Sequence, residues 1–580
     1  MTKSKLDGAQ ALIKGLEKQG VEYIFGIPGG ATIPMFDALV TTGTKIKLIL
    51  TRHEQAATHM ADGYARATGR PAVVLVTSGP GATNTVTGIM TAHMDSVPML
   101  IISGQAVAWM LGKDAFQEAD IYGMTMPIVK HSYLVYDAND IPRVVREAFH
   151  IATTGRPGPV LIDVPKNVSS GAFTGNLEAD MDLPGYRPEL LPPDPKIIQA
   201  IADALKRARR PIMLVGHGVI IADACGAVKA LAEKLNIPVT NTLLGKGGFP
   251  ETHPLALGML GMHGTAYANK AMVEADLILN IGSRFDDRII GIAAQFGRNA
   301  VKIHVDIDPS EIGKMIKPDI YCLCDARLAA EQILKTVERG ETSDWIKRIN
   351  SYKKEFPLHY RRTGGLKMQH IIEELHTMTG GKAVVATDVG QHQMWTAQFW
   401  KVDQRNNWLS SGGAGTMGYG LPAAIGAQFG RPKDLVISFS GDGGFQMTMS
   451  DLATACNHRL PIKAFVLNNS YLGMVRQWQE LFYDDRKSGV DLEGNPDFAK
   501  VAEAYGALGL RIKRAADVRK VLTRALEYND GPCVIDVHVH KEQNVFPMVP
   551  AGKALEDMII EPRRRRGRPP TAAKTKRATK

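Results

Sequence analysis

The string SFSGDGGFQM, residues 438–447, joins an apolar run ending at Ser440 to a glycine-rich turn whose single charged side chain is Asp442. A strand-to-helix turn of this kind presents backbone N–H groups and a carboxylate together, which suits a phosphate–metal complex. A second apolar run, KAFVL, ends in Asn468 and Asn469. If the two runs are neighbouring parallel strands, Asp442 and Asn469 meet at their C-terminal edge. One carboxylate, one amide oxygen, a main-chain carbonyl such as that of Tyr471 and diphosphate oxygens would complete the octahedron that Mg²⁺ requires. The alternative is a pair of turns with Asp and Asn as mere caps, and the Asn pair at a strand end argues against it. Phe445 and Gln446 break the spacing of GxGxxG, so a nicotinamide site is not indicated.

Such edges need parallel sheets, and the chain has the rhythm for three of them. Residues 1–170 alternate helical patterns with apolar runs such as VEYIFGI, KLILT and PAVVLV, the signature of a sheet covered by helices. Residues 171–195, rich in proline, read as a linker. A second unit over 196–340 holds PIMLVGHGVI, PVTNTL, ADLILNIGSRF and VKIHVDIDP, and a charged helical connector occupies 341–367. A third unit over 368–550 repeats the pattern with AVVATDVG, LVISFSGDGG, IKAFVLNN and PCVIDVHV. The expected fold class is α/β, three doubly wound parallel-sheet domains, with the first and third as possible copies of one design. Residues 551–580 form a C-terminal extension whose end, EPRRRRGRPPTAAKTKRATK, cannot bury a core and is expected to be disordered.

Length and composition agree. The 580 residues, 44% hydrophobic and 22% charged, exclude a single small module and a disordered chain. Nine of the ten net positive charges fall in residues 562–580, so the body is nearly neutral and any polyanion affinity is confined to the tail. Cys225, Cys322, Cys324, Cys456 and Cys533 form no CxxC pair, which suits a reducing compartment. Neither a secretory or transit leader nor an apolar run of about eighteen residues is present, so a cytoplasmic enzyme is expected.

Several long strings identify a resemblance: FGIPGG, RHEQAATHMADGYAR, DAFQEAD, GRPGPVLIDVPK, GMLGMHG, GSRFDDR, DVGQHQMW, GTMGYGLPAAIGAQ and LGMVRQWQELF. To about residue 550 the chain closely resembles the catalytic large subunits of acetohydroxyacid (acetolactate) synthases, thiamine-diphosphate enzymes whose motif is GDG…NN. The resemblance implies a pyrimidine-binding N-terminal domain, a central FAD-binding domain and a C-terminal diphosphate-binding domain. It implies thiamine diphosphate, Mg²⁺ and FAD, the flavin without net redox duty.

The chemistry needs a carboxyl group against the pyrimidine nitrogen, to favour the imino form that takes the thiamine C2 proton. Glu54 stands at the start of a helix with Ala56, Ala57, Met60, Ala61 and Tyr64 on an apolar face; read alone it is a helix-start acid favoured by the macrodipole, and the resemblance reverses that in favour of the catalytic carboxyl. By resemblance Gln117 and Lys166 join it as catalytic residues. Gly30, Val389, Gln391, His392, Gly415, Met417, Gly441, Gly443 and Gly444 contact thiamine diphosphate, with Met417 as the shelf that bends the cofactor. Asp442, Asn469 and Tyr471 hold the metal. The FAD set is Arg156, Gly216, His263, Gly264, Thr265, Gly282, Ser283, Arg284, Asp306, Asp308 and Asp325. Phe116, Met262, Arg288 and Trp478 form the substrate entrance, Arg288 and Trp478 selecting the second 2-oxoacid. Read from spacing alone, Met417 and Trp478 are core residues and Arg288 a surface ion-pair partner. Ala414 departs from the Leu of many relatives.

Because Glu54 and Asp442 fall in different units, one cofactor must bridge the first and third domains. In similar proteins two subunits make that bridge, implying at least a homodimer, and a small regulatory subunit is a further expected partner. The implied reaction decarboxylates pyruvate and joins the two-carbon unit to a second pyruvate, giving 2-acetolactate, or to 2-oxobutyrate, giving 2-aceto-2-hydroxybutyrate. These products lead to valine, leucine and isoleucine. A pyruvate oxidase or a catabolic acetolactate synthase is the alternative, against which DAFQEAD, GSRFDDR and RQWQE favour the biosynthetic type. PRRRRGRPP resembles an AT-hook that enters the minor groove of A·T-rich DNA; a merely solvated basic extension is the expectation.

Overall fold

A computed structural model describes residues 6–188 and 192–561, and within them the strands sort into three six-stranded sheets, every pairing parallel. The basic tail from 562 lies outside the described residues, as does the AT-hook-like segment. The first sheet comprises β1 (Tyr23–Ile27), β2 (Lys47–Leu50), β3 (Ala72–Val76), β4 (Met99–Gln105), β5 (His131–Leu134) and β6 (Pro159–Pro165) in the order β2-β1-β3-β4-β6-β5. The second has β7 (Pro211–Val215), β8 (Val239–Asn241), β9 (Ala256–Met259), β10 (Leu277–Ile281), β11 (Val301–Asp306) and β12 (Ile320–Leu323), ordered β12-β11-β10-β7-β8-β9. The third holds β13 (Val384–Thr387), β14 (Trp408–Ser410), β15 (Val436–Gly441), β16 (Lys463–Asn468), β17 (Leu508–Ile512) and β18 (Cys533–His538), ordered β14-β13-β15-β16-β18-β17.

The central strands are runs of Val, Ile, Leu and Ala because helices cover both faces; β3, β7 and β10 are buried along their whole length. The first and third sheets share one strand order, and the second has the order of dinucleotide-binding sheets. Each sheet therefore has a switch point where successive strands depart in opposite directions, between β1 and β3, between β7 and β10, and between β13 and β15. Ligand clefts of open α/β sheets form outside the strand ends at such points.

The first and third sheets share a core. Phe25, Met60, Tyr64 and Ile101 from one and Leu421, Ala423, Ile425 and Val466 from the other are buried in one cluster. Its centre is the crossing of helix Glu54–Thr68 with helix Gly420–Gly430. The crossing is close because each helix offers a glycine: a Cβ on Gly63 would overlap Ala423 O, and one on Gly426 would overlap Met60 O. The second sheet is tied on by the chain beyond β18. Met548 pairs with Ile559, Val549 N–H donates to Met262 O at 2.8 Å, and Leu555 is buried with Ile289 and Ile290. The connector is a helix, Ser343–Glu355, whose Trp345 is buried and donates to Pro211 O at 3.0 Å. No helix among the described residues is long and apolar enough to cross a membrane.

Gly426→Ala should force the two helices apart, a loss of about 1–3 kcal/mol. A lowered thermal denaturation temperature with unchanged circular dichroism at low temperature is the expected outcome, and an unchanged temperature would show that the crossing yields without penalty.

Candidate active site

Strands β15 and β16 are hydrogen-bonded neighbours with Gly441 opposite Leu467, so Asp442 and Asn469 lie just past adjacent strand ends. Helix Asp442–Thr448 starts at the acid itself. Asn495 Nδ2 donates to Asp442 Oδ2 at 2.7 Å, and Asn469 Oδ1 accepts from Tyr471 N–H at 3.1 Å. Burial pushes the Asp442 carboxyl up to about 6, against the pull of hydrogen bonds from Asn495 and nearby backbone N–H groups. The groups that stabilise its charge are all neutral amides.

Opposite, the turn after β13 brings Val389, Gln391 and His392 to the same crevice. A cavity of about 60 Å³ is lined by these three together with Gly441, Asp442, Gly443, Gly444, Asn469, Tyr471 and Met417. Gln391 Oε1 is buried there with no hydrogen-bond partner among the described residues, while its Nε2 donates to Gln477 Oε1 and Gln543 O. His392 is neutral, its pKa lowered to about 3 by burial, and its Nε2 accepts from Gly441 N–H at 3.2 Å. Cβ atoms on Gly441 and Gly443 would press on the His392 ring and on Leu472. An anionic carboxylate, an orphaned amide and glycines at a helix start fit a diphosphate and a hard divalent cation. Among the described residues no group of three or more His, Cys, Asp or Glu side chains could hold a metal ion.

Val389 and Met417 also face a larger cavity of about 920 Å³ that extends to the switch point of the second sheet. Of the residues expected to hold FAD, Arg156, His263, Gly282, Ser283, Arg284, Asp306 and Asp325 line it; so do Gly415 and the entrance residues Met262, Arg288 and Trp478. His263 is held neutral by burial, its pKa near 4, and its Nδ1 has no partner among the described residues. Gly216, Gly264, Thr265 and Asp308 are not on the wall. A Cβ on Gly216 would overlap Gly282 O, and one on Gly264 would overlap the Met259–Leu260 backbone. Thr265 Oγ1 donates to Leu257 O and accepts from Ala268 N–H as a helix cap. Asp308 acts through Arg156, whose Nη1 lies 3.1 Å from its Oδ2 and 2.7 Å from Glu311 Oε1. The volume, the orphaned imidazole and the glycine contacts between β7 and β10 fit a dinucleotide.

Arg288 Nη1 is 3.6 Å from Met262 Sδ, and Trp478 stacks edge-on against Phe482 with centroids 5.6 Å apart. Neither Glu54, Gly30, Phe116, Gln117 nor Lys166 lines either cavity. They belong to the C-terminal edge of the first sheet. Asn84 Nδ2 donates to Glu54 Oε2 at 3.0 Å, and Gln117, at φ +57°, lies against Gly79. Phe116 is 90% exposed and Lys166 is exposed at the end of β6. Sequence reading missed Asn495, Asn84 and Glu311; Glu311 lines the larger cavity, as does His217 within the PIMLVGHGVI run. Asn495 had only a turn-like GNPD context to mark it.

Three stretches match descriptions of one family: thiamine pyrophosphate enzyme, N-terminal TPP binding domain over 6–124, central domain over 198–333, and C-terminal TPP binding domain over 388–537. The chain belongs to the thiamine pyrophosphate enzymes. It is 47% identical to the acetolactate synthase large subunit of Cyanidium caldarium, over 95% of this chain and 96% of the relative. It is 46% identical to that of Corynebacterium glutamicum, over 96% and 90%, and 44% identical to that of Haemophilus influenzae, over 96% and 98%. Within the class, its family is that of the acetolactate synthase large subunits.

One further carboxyl steadies the first-sheet edge. Asp163, buried in β6, accepts from Ser103 Oγ at 2.7 Å and Gln105 Nε2 at 2.9 Å, and Gln105 also donates to Ala119 O beside Gln117. Burial raises its pKa from 3.8 to about 7. Between those values the folded chain holds a proton that the unfolded chain releases, so stability falls as pH rises through this window, by up to about 4 kcal/mol. Asn at 163 carries no charge, and the Ser103 hydroxyl can turn to accept from its amide. The denaturation temperature of Asp163→Asn relative to wild type should therefore be higher at pH 8 than at pH 5; a constant difference would refute the assignment.

Proposed function

We propose that the chain is the catalytic subunit of an acetolactate synthase that decarboxylates pyruvate and ligates the two-carbon unit to a second pyruvate or to 2-oxobutyrate. The observation that carries this reading is the crevice between β13 and β15, where Asp442, Asn469 and the orphaned Gln391 Oε1 face Met417. Thiamine diphosphate, when bound, supplies the nucleophilic carbon and the electron sink for decarboxylation. The third sheet is taken as the diphosphate-binding unit, with Asp442 Oδ, Asn469 Oδ1 and the Tyr471 carbonyl holding Mg²⁺ and the N–H groups of Gly443 and Gly444 holding phosphate oxygens. Gln391 and His392 flank the diphosphate. Met417, between the two cavities, fixes the shape of the cofactor, and Val389 and Gly415 offer backbone groups to its pyrimidine.

The second sheet, with its dinucleotide-binding strand order, is taken as the FAD-binding unit around Arg156, His263, Ser283 and Asp306. Arg288 suits the carboxylate of the second 2-oxoacid, and the indole of Trp478 suits its extra methyl. The first sheet is the pyrimidine-binding unit. Glu54 Oε, steadied by Asn84, holds a proton against a pyrimidine nitrogen, and Gln117, Lys166 and Phe116 close the site from the same edge. Since these residues do not line the crevice of their own chain, a second copy is taken to supply them. Apolar side chains left exposed near that edge, among them Ile33, Leu50 and Met126, fit a homodimer interface. The relatives are named large subunits, and a small regulatory subunit is the corresponding partner.

The deciding experiment assays acetolactate and acetaldehyde formed from pyruvate by purified protein, with and without thiamine diphosphate and Mg²⁺. Acetolactate dependent on both is expected; acetaldehyde or acetate in its place would transfer the chain to the decarboxylase or oxidase reading. Glu54→Gln should lower kcat at least about a hundredfold with folding intact, and near-normal turnover would remove Glu54 from the mechanism. In competition between pyruvate and 2-oxobutyrate, Trp478→Leu should lose the preference for the latter.

A further inference from the structure

Met417 sits in the loop Ser411–Gly420, sequence SGGAGTMGYG, between the end of β14 and the start of helix Gly420–Gly430. A loop with five glycines has no intrinsic stiffness. Yet both of its ends are pinned by buried carboxylates. At the leading end Asp95 Oδ1 accepts from Gly413 N–H at 2.7 Å and Oδ2 from Gly412 N–H at 3.1 Å. At the trailing end Asp388 Oδ2 accepts from Gly418 and Gly420 N–H, both at 3.0 Å, and Oδ1 from Val389 N–H at 2.8 Å. Asp95 is itself locked by Arg66 Nη2 at 2.7 Å, and Arg66 Nη1 also donates to Ser410 O at 3.1 Å. Smaller contacts follow the same plan: the Thr91 and Thr416 hydroxyls lie 2.7 Å apart, and Thr448 Oγ1 donates to Gly418 O at 2.8 Å.

We propose that Asp95 and Asp388 are positioning residues that suspend the Met417 loop between two domains and fix the height of Met417 in the cofactor crevice. Hydrogen bonds from N–H to an ionised, desolvated carboxylate are stronger than neutral ones, and four glycine N–H groups bracket a span of only four residues, Ala414–Met417. A shorter side chain at Ala414 is tolerable in such a span because the clamps, not packing, set its path. Asp95 also supplies a link that the third domain does not make within itself. The first domain braces the crevice of its own chain while presenting Glu54 elsewhere. The proposal rests on the reading of Met417 as the cofactor shelf.

The test uses the full chain with Asp95→Asn and Asp388→Asn. In cofactor-free protein, amide hydrogen–deuterium exchange of the peptide 411–420 should be slow in wild type and about tenfold or more faster in each variant, with β15 and β16 unchanged. With Mg²⁺ and thiamine diphosphate added, kcat on pyruvate should fall about tenfold to a hundredfold, as a small misplacement of a positioning group does. The half-saturating thiamine diphosphate concentration, read by tryptophan quenching, should move less than about threefold, because the clamps do not touch the diphosphate end. Wild-type exchange in both variants overturns the proposal, as does a fall in kcat matched by an equal loss of cofactor affinity. If Asp388→Asn does not fold, Thr448→Val, which removes only the bond to Gly418 O, replaces it with the same readouts; if Asp95→Asn, which breaks a buried ion pair with Arg66, does not fold, Thr91→Val, which removes the hydroxyl paired with Thr416, does so at the leading end. A wild-type chain whose turnover needs no thiamine diphosphate would sink the reading of the crevice and leave the exchange result standing.

Discussion

The Arg66 guanidinium is buried, and the arrangement of the first and third domains follows from satisfying it. Its Nε lies 2.6 Å from Asp62 Oδ1 and its Nη2 2.7 Å from Asp95 Oδ2, while Tyr419 OH donates to Asp62 at 2.6 Å. Removing one partner of such a set would strand a charge in a medium that cannot solvate it. Desolvation opposes ionisation of Asp62, and the cation beside it pulls the other way. The cluster therefore exists as a unit or not at all. It fixes helix Glu54–Thr68, from which Arg66 and Asp62 project, against the loop and helix that follow β14. Glycines at the helix crossing then let the backbones approach, and the shared apolar core fills in around them.

From that constraint comes the separation of the first-sheet edge from the third-sheet crevice. Glu54 opens the same helix that carries Arg66 near its end, so the element that docks the first domain on the third also fixes where Glu54 stands, and Glu54 is not among the residues lining the crevice of Asp442. Two sheets with the same strand order each have a switch point: acid and amide oxygens line the crevice at β13 and β15, while Glu54, Gly30 and Gln117 lie beyond strand ends of the first sheet. A pair of chains related by a twofold axis would close both edges on each other, which is how isologous interfaces build composite sites.

What could be read in the residues was what depends on short spans. GDGG and the Asn pair lie at the ends of buried strands, and buried strands in parallel sheets show as continuous apolar runs. Four edge strands escaped because they are short and half-exposed: His131–Leu134, Ala256–Met259, Ile320–Leu323 and Leu508–Ile512 carry no uniform apolar run, whereas the edge strand Lys47–Leu50 does and was legible as KLILT. Asn495 escaped because its meeting with Asp442 spans 53 positions and is made by a turn. Spacing alone also leaves a glycine's neighbours unstated: Gly216 and Gly264 lie against backbone of their own chain, a contact that only three-dimensional packing reveals.

Three buried carboxylates with raised pKa values, Asp163, Asp388 and Asp442, lie at or just beyond the C-terminal ends of strands, and their partners distinguish them. Asp163 has a hydroxyl and a carboxamide, and Asp388 has three backbone N–H groups beyond a close β13 end. Each of those two is occupied by donors of its own chain that converge from two sides. Asp442 has Asn495 and nearby backbone N–H groups, but it also opens onto a cavity and stands beside an amide oxygen and a carbonyl that can only accept. Acceptors clustered at a helix start repel one another unless a cation enters, and a cation held by so few protein oxygens must bring further oxygens with it. A divalent ion shared with a diphosphate meets both conditions at once, whereas a lysine or arginine would satisfy only the first and would fill the space that the phosphates need.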